Sequence, residues 1–205
     1  MPDRCDQLIT GVDVRGYFQE AIADALDRQT FPAQDETVIY LSSVMATFTR
    51  ADCLYDRTPD GMLLRPLAEM YGDAAAARTA EERDKALRRL GEIALFIAGL
   101  FANSLSRSLV DVDYYIAMGG SAYGRLALSP GPKARRTLRE VYTELARHFP
   151  GFVEVLAEVG DRANLGSSAD VLRLYEIWLC TGSRRAAARL RELGIDPVHG
   201  RRSTH

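Results

Sequence analysis

A chain of 205 residues that is 47% apolar and 26% charged has the composition of one soluble globular domain with a sizeable core, which excludes global disorder. A formal net charge of −2 excludes an overall basic field directed at nucleic acid or an acidic membrane. The three cysteines (Cys5, Cys53, Cys180) are scattered and odd in number, and two of the three histidines (His148, His199, His205) fall in the last residues, so neither a disulfide framework nor a histidine-rich metal site is expected.

Residues 1–12 read as a flexible leader without the uninterrupted apolar run of a signal peptide. From Val14, apolar residues recur at Tyr17, Phe18, Ala21, Ile22, Ala25 and Leu26, an amphipathic helix stripe that Thr30, Phe31 and Pro32 interrupt. A second helix is expected from about Asp35, with Val38, Leu41, Met45 and Phe48 on one face and Val44 beside them. Residues 56–61 (DRTPDG) have the composition of a turn. A third helix begins near Leu64, tolerates Pro66 in its first turn and carries Leu67, Met70, Tyr71 and Ala74.

The chain is organised around residues 79–109. Thr79 and Glu82 fit a capping box, and Glu81, Glu82 and Asp84 suit the positive end of a helix dipole. Residues 93–102 (IALFIAGLFA) are apolar on every side, so the helix is expected at the centre of the fold. Ten residues make about 15 Å of helix, whereas a bilayer needs about 20 residues, so the run reads as core. Gly91 and Gly99 each cost roughly 1 kcal/mol against alanine, which close approach by neighbouring helices would offset.

The next helix, residues 111–128, is capped by Asp111, with Asp113 facing the dipole. One of its faces reads Val112, Ile116, Gly119, Tyr123, Leu126, and the adjoining one Asp113, Ala117, Gly120, Gly124, Ala127, almost without bulk. After the break at residues 129–132, Leu138, Val141, Tyr142, Leu145 and Phe149 mark another helix, which Pro150 and Gly151 break. Phe152, Val155, Leu156 and Val159 mark a shorter one. Two more are expected, one carrying Val171, Leu174, Tyr175 and Trp178 and one over residues 184–193, before a disordered tail at 198–205. The expected fold is therefore all-α: a single-domain bundle of roughly eight helices over residues 13–197, around the helix at 79–109.

The sharpest candidate site is residues 118–124 (MGGSAYG). Gly119, Gly120 and Gly124 either leave room for a flat ligand or let another helix, of this chain or of a second subunit, cross closely. Tyr115, Tyr123, Phe96 and Trp178 are the candidate lining residues. The stretch lacks the Gly-Lys-Ser/Thr end of a phosphate loop. Glu92 and Asn103 bracket the apolar run, where they reach into a pocket or mark the return to solvent. Asp111 and Asp113, two apart on a helix, do not converge. The basic clusters at 83–89 and 133–139 read as solvated faces.

Two stretches resemble known families. The Gly119–Gly120 pair in an otherwise aromatic helix resembles the distal helix of heme oxygenase-like proteins, where glycines let a helix kink over the porphyrin. Those heme enzymes supply a proximal histidine from the first helix, and this chain has none between Val14 and Arg28. The resemblance therefore implies a pocket for another planar or apolar ligand. Residues 175–195 (YEIWLCTGSRRAAARLRELGI) resemble the DNA-binding end of Fis-type helix-turn-helix domains. Arg191 and Glu192 lengthen the middle helix, and no recognition helix follows Ile195. Arg184, Arg185, Arg189 and Arg191 therefore read as a solvated face.

No nucleophile–base pair, metal-ligand spacing or phosphate loop can be assembled, and no cofactor is indicated. The sequence points first to a cytoplasmic, non-enzymatic adaptor or regulatory protein that binds a protein partner or forms a homo-oligomer. The alternative is a small-molecule-binding helical protein or enzyme with its pocket beside Gly119, Gly120 and Gly124. DNA binding through the C-terminal helices ranks below both, and no membrane association is expected.

Overall fold

The computed structural model describes residues 14–48, 54, 56–58, 61–105, 111–129, 136–162, 178, 187, 188, 190 and 191. The fold is all-α. Among the described residues six helices follow in order: α1 (Val14–Gln29), α2 (Asp35–Phe48), α3 (Leu67–Ala76), α4 (Ala80–Leu105), α5 (Val112–Ala127) and α6 (Arg136–Arg162). The leader, the tail and most of the two C-terminal helices expected from sequence lie outside the described residues. Trp178, Ala187 and Leu190, which belong to those two segments, are buried.

The α1 stripe buries Phe18, Ile22, Ala25 and Leu26. Val14 and Tyr17, expected on the same stripe, are 41% and 46% exposed. The helix ends in a Schellman-type cap: the Phe31 N–H reaches the Leu26 carbonyl at 3.0 Å, and Thr30 takes φ 53° at the position glycine usually fills. The cap turns Phe31 inward against Phe152 and His148, with ring centroids 5.2 and 5.9 Å apart. Gly151 makes this possible, since a Cβ there would lie 2.3 Å from the Phe31 ring.

α2 begins on a cap lent by another helix. Glu144 of α6 accepts from the Gln34 N–H at 3.1 Å and from the Thr37 hydroxyl, so a distant carboxylate satisfies donors at the start of α2. α1 is tied to α6 at its other end, where Arg28 Nε and Gln29 Nε2 donate to Glu158 at 2.6 and 2.8 Å. Those two hydrogen bonds hold the Glu158 carboxyl below the usual glutamate range.

Within and beside residues 56–61, expected as a turn, the described residues form a short antiparallel pair, β1 (Asp56–Thr58) and β2 (Gly61–Leu63), with Arg57 opposite Met62 and Thr58 opposite Gly61. α3 starts three residues later than its apolar pattern implies. Pro66 caps it with an extended ψ of 137°, and the residue before a proline is itself pushed from helix toward extended backbone.

The Thr79–Glu82 capping box forms: the Glu82 N–H donates to Thr79 Oγ1 at 3.1 Å, and Glu82 Oε2 accepts from the Thr79 N–H at 3.2 Å. From Ile93 through Ala98 every α4 residue is buried, and the helix packs against α2, α3, α5 and α6. Asp111 caps α5 by accepting from the Val112 N–H at 2.6 Å.

The two helices expected on either side of Pro150 and Gly151 run end to end within α6, divided by a kink at His148. His148 leaves helical geometry (φ −119°, ψ 24°), and the chain resumes with Pro150 near the start of the second segment. Early in a helix the missing proline N–H costs nothing, so the pair bends the element without ending it.

The glycine face of α5 meets α6 of the same chain. A Cβ on Gly119 would lie 2.3 Å from Phe149 Cζ and 3.0 Å from the Ala94 Cβ, whereas Gly120 and Gly124 leave 3.8 Å to Phe149 and 3.9 Å to Ala146. Gly119→Ala should therefore destabilise the fold by about 1–3 kcal/mol through overpacking. Gly120→Ala and Gly124→Ala should stabilise it by up to about 1 kcal/mol through helix propensity. Urea unfolding of the three variants gives the comparison, and equal losses in all three would contradict this packing.

Candidate functional site

Among the residues singled out from sequence, Tyr123 occupies the most distinctive position. It is completely buried, and its ring lies on the α4 backbone at Gly91, where a Cβ would approach it to 3.0 Å. The ring stacks on Tyr142 of α6 (5.7 Å between centroids, 28° between planes) and meets Tyr40 of α2 edge-on at 6.2 Å. Glycine at 91 thus lets α5 approach α4 closely while a tyrosine fills the junction.

The hydroxyls converge on one carboxylate. Tyr40 Oη donates to Glu92 Oε1 at 2.9 Å and lies 3.3 Å from Tyr123 Oη. Arg88, one turn before Glu92, brings Nε to 3.7 Å from the same oxygen. Each of the helices α2, α4, α5 and α6 contributes to this cluster. Sequence reasoning singled out Tyr123 and considered Glu92, but not Tyr40, Tyr142 or Arg88. The available signal was Gly91 beside Glu92: a helix-weakening glycine marks a close approach, and the neighbouring acid shares the junction.

Burial sets the protonation states. Desolvation pushes Tyr40 and Tyr123 well above the usual phenol range, with the nearby carboxylate adding to the rise. Desolvation raises Tyr142 as well, against the opposing Arg88 cation. Glu92 is raised by burial, which outweighs the Tyr40 hydrogen bond and the Arg88 and Arg89 charges. The phenols accordingly remain protonated donors around a carboxyl that holds its proton more tightly than a free glutamate. Chemically the cluster is a hydrogen-bonded junction between helices, with Tyr123 fully buried and Glu92 and Arg88 partly exposed at its edge.

The other candidates are placed elsewhere. Phe96 packs on Phe48, with centroids 5.2 Å apart, and the Arg89 guanidinium lies over the Phe48 ring at 5.1 Å. Tyr115 is half-buried, edge-on to Tyr114 at 5.6 Å, and Trp178 is buried. Phe149 links Gly119 and Gly120 to Tyr123, its ring 6.1 Å from the tyrosine's. The side-chain-free surface of α5 is therefore occupied by α6. No group of three or more His, Cys, Asp or Glu side chains among the described residues is arranged to hold a metal.

Two surface grooves are lined by described residues. The smaller, about 230 Å³, is polar and lined by Gln34, Glu140, Thr143, Glu144, Arg147 and His148. The larger, about 580 Å³, lies between α1 and α2. Leu26, Phe31, Val38 and Ile39 supply apolar surface there, with Ala23, Pro32 and Ala33 beside them and Gln19, Asp27 and Asp35 as polar groups. Ile39 is 40% exposed, an unusual position for a large aliphatic side chain beside further apolar surface.

Removing the Tyr40 hydroxyl leaves Glu92 short of a donor, whereas removing that of Tyr123 loses one longer contact between phenols. Tyr40→Phe should cost about 1–3 kcal/mol and Tyr123→Phe about 0.5–1.5 kcal/mol in chemical denaturation. A reversed order would remove Glu92 from the centre of the cluster.

A carboxyl raised on folding binds its proton more tightly in the native chain than in the unfolded one. Its contribution to stability is greatest below the ordinary glutamate value and is lost as pH rises through the raised native value. The stability difference between wild type and Glu92→Gln should therefore shift against wild type as pH rises above the free glutamate value of about 4.3. Denaturant titrations over that rise measure it, and a constant difference would mean Glu92 titrates normally.

No family model matches this chain, and the comparisons with curated proteins and with solved structures give no match.

Proposed function

We propose that this chain is a non-enzymatic helical adaptor or regulatory protein that works by contact with another protein, with the α1–α2 groove as its docking face. The observation that carries the reading is the groove itself, where partly exposed Phe31, Val38 and Ile39 lie beside the polar groups of Gln19, Asp27 and Asp35. The bundle around α4 serves as the scaffold that holds α1 and α2 apart. Support also comes from the tyrosine cluster, none of whose members lines either groove. The scattered cysteines suit a reducing compartment, and we place the protein in the cytoplasm. No helix among the described residues is long and apolar enough to cross a membrane.

The alternative of a planar or apolar ligand beside Gly119, Gly120 and Gly124 finds less support, because Phe149 and Ala146 stand against those glycines. Homo-oligomer formation through the same glycine face is disfavoured for the same reason, and a second copy would have to dock elsewhere.

Photo-crosslinking from position 39, compared with Ala117 on the exposed side of α5, tests the reading in the protein's own cells. The expected result is a discrete protein adduct from position 39 alone, lost when Ala23→Glu places a charge in the groove. Ala23 is exposed, so that substitution should leave stability within about 0.5 kcal/mol. Equal adducts from both positions, or adducts indifferent to Ala23→Glu, would overturn the docking assignment. Native mass spectrometry of untreated protein decides the alternative: a reproducible non-covalent adduct of small-molecule mass would favour the ligand reading.

A further inference from the structure

We infer that the α1–α2 groove receives the apolar face of a partner helix whose anchoring residues are flanked by lysine or arginine. The inference rests on the docking reading above and adds the chemistry of the partner. Two carboxylates border the apolar surface: Asp27, near the end of α1, and Asp35, at the start of α2. Neither meets a cationic side chain among the described residues.

The surrounding charge has the same sign. α1 and α2 carry Glu20, Asp24, Asp27, Asp35 and Glu36 against Arg15 and Arg28. Arg28 is already engaged by Glu158 at 2.6 Å and by Asp24 at 3.9 Å. A chain whose whole formal charge is −2 thus carries an excess of negative charge on the two helices that form this groove.

The two carboxylates differ in what they do for the fold. Asp35 lies in the first turn of α2, where a negative charge complements the helix dipole. Asp27 lies in the last turn of α1, where a negative charge opposes it. Asp27 therefore contributes nothing favourable to its own helix, and a cation brought by a partner would remove that conflict. The floor of the groove is already in place, because the α1 cap and the contacts with Gly151 and Phe152 fix Phe31. Apolar anchors between two helices, with basic residues beside them, describe helix-in-groove recognition with electrostatic complementarity at the rim.

The test uses two labelled model peptides that place leucines at helical spacing, one with lysine and one with glutamate at the intervening positions. Fluorescence anisotropy follows their binding to the full chain at about 50 mM and about 200 mM salt. The Leu/Lys peptide should bind and weaken with salt, and the Leu/Glu peptide should not bind. Asp27→Asn with Asp35→Asn should weaken the Leu/Lys peptide by about tenfold or more, whereas Glu81→Gln, remote on α4, should leave it unchanged. Full binding to the double variant, or an equal loss from Glu81→Gln, would overturn the charge assignment. Binding of the Leu/Glu peptide that is lost in Ala23→Glu would also overturn it while leaving the groove as a docking face. No binding of either peptide, together with no groove-dependent crosslink from position 39, would remove the docking reading itself.

Discussion

Large side chains laid directly on glycines set the distances between these helices. Tyr123 rests on Gly91, Phe149 on Gly119 and Phe31 on Gly151, and each contact would be a clash with alanine in place of glycine or nearly so. Each of these glycines forgoes helix propensity, and the return is a close approach that brings buried aromatic area against backbone. The Tyr123–Gly91 contact has the widest consequences. It draws α5 onto α4 and carries a hydroxyl into the interior, where it needs a partner. The polar cluster follows from that requirement.

A carboxyl placed among such rings is costly unless it receives donors. Glu92 has the Tyr40 phenol and the nearby Arg88 guanidinium, drawn from α2 and from the preceding turn of α4. The same network explains why perturbed titration at this site does not imply catalysis. Burial and the hydrogen bonds among them shift these groups, as helix packing does without any reaction. A catalytic interpretation needs both a perturbed group and access for substrate, and neither the α1–α2 groove nor the one beside His148 is lined by these groups.

The features legible in the sequence were local ones. The Thr79–Glu82 capping box and the Asp111 cap follow from hydrogen bonds spanning one to three residues, which spacing alone reveals. The glycines at 91 and 99 could be read as close approaches because an interior glycine has no other evident benefit in a helix. The tyrosine cluster was not legible, since its members lie on four helices and each has an ordinary helical spacing. Pro150 gave the division of α6 to within two residues, though not how closely its two parts follow one another. Composition marks a break, but whether the chain restarts at once depends on His148 leaving helical geometry and on Phe31 filling the space beside Gly151. The α1–α2 groove was likewise invisible, because a stripe such as Phe18, Ile22, Ala25, Leu26 gives the direction of burial and not how far apart two helices end.

Departures from local rules gather at the turn between α1 and α2. Thr30, a β-branched residue, takes a left-handed φ of 53° where glycine would be unstrained. Asp27 places a carboxylate at the wrong end of a helix dipole, and Ile39 leaves an aliphatic side chain in water. Acids at the start of α4 and aspartate capping α5 keep to these rules, whereas Leu128 at the end of α5 is 86% exposed. Thr30 serves the fold, since its cap turns Phe31 against Phe152, whereas Asp27 and Ile39 lie outside the contacts among α4, α5 and α6. A natural sequence that is locally consistent elsewhere tends to break local rules where function requires it. Misplaced charge and exposed apolar surface beside this turn are therefore better explained by a surface kept for a partner than by the demands of the fold.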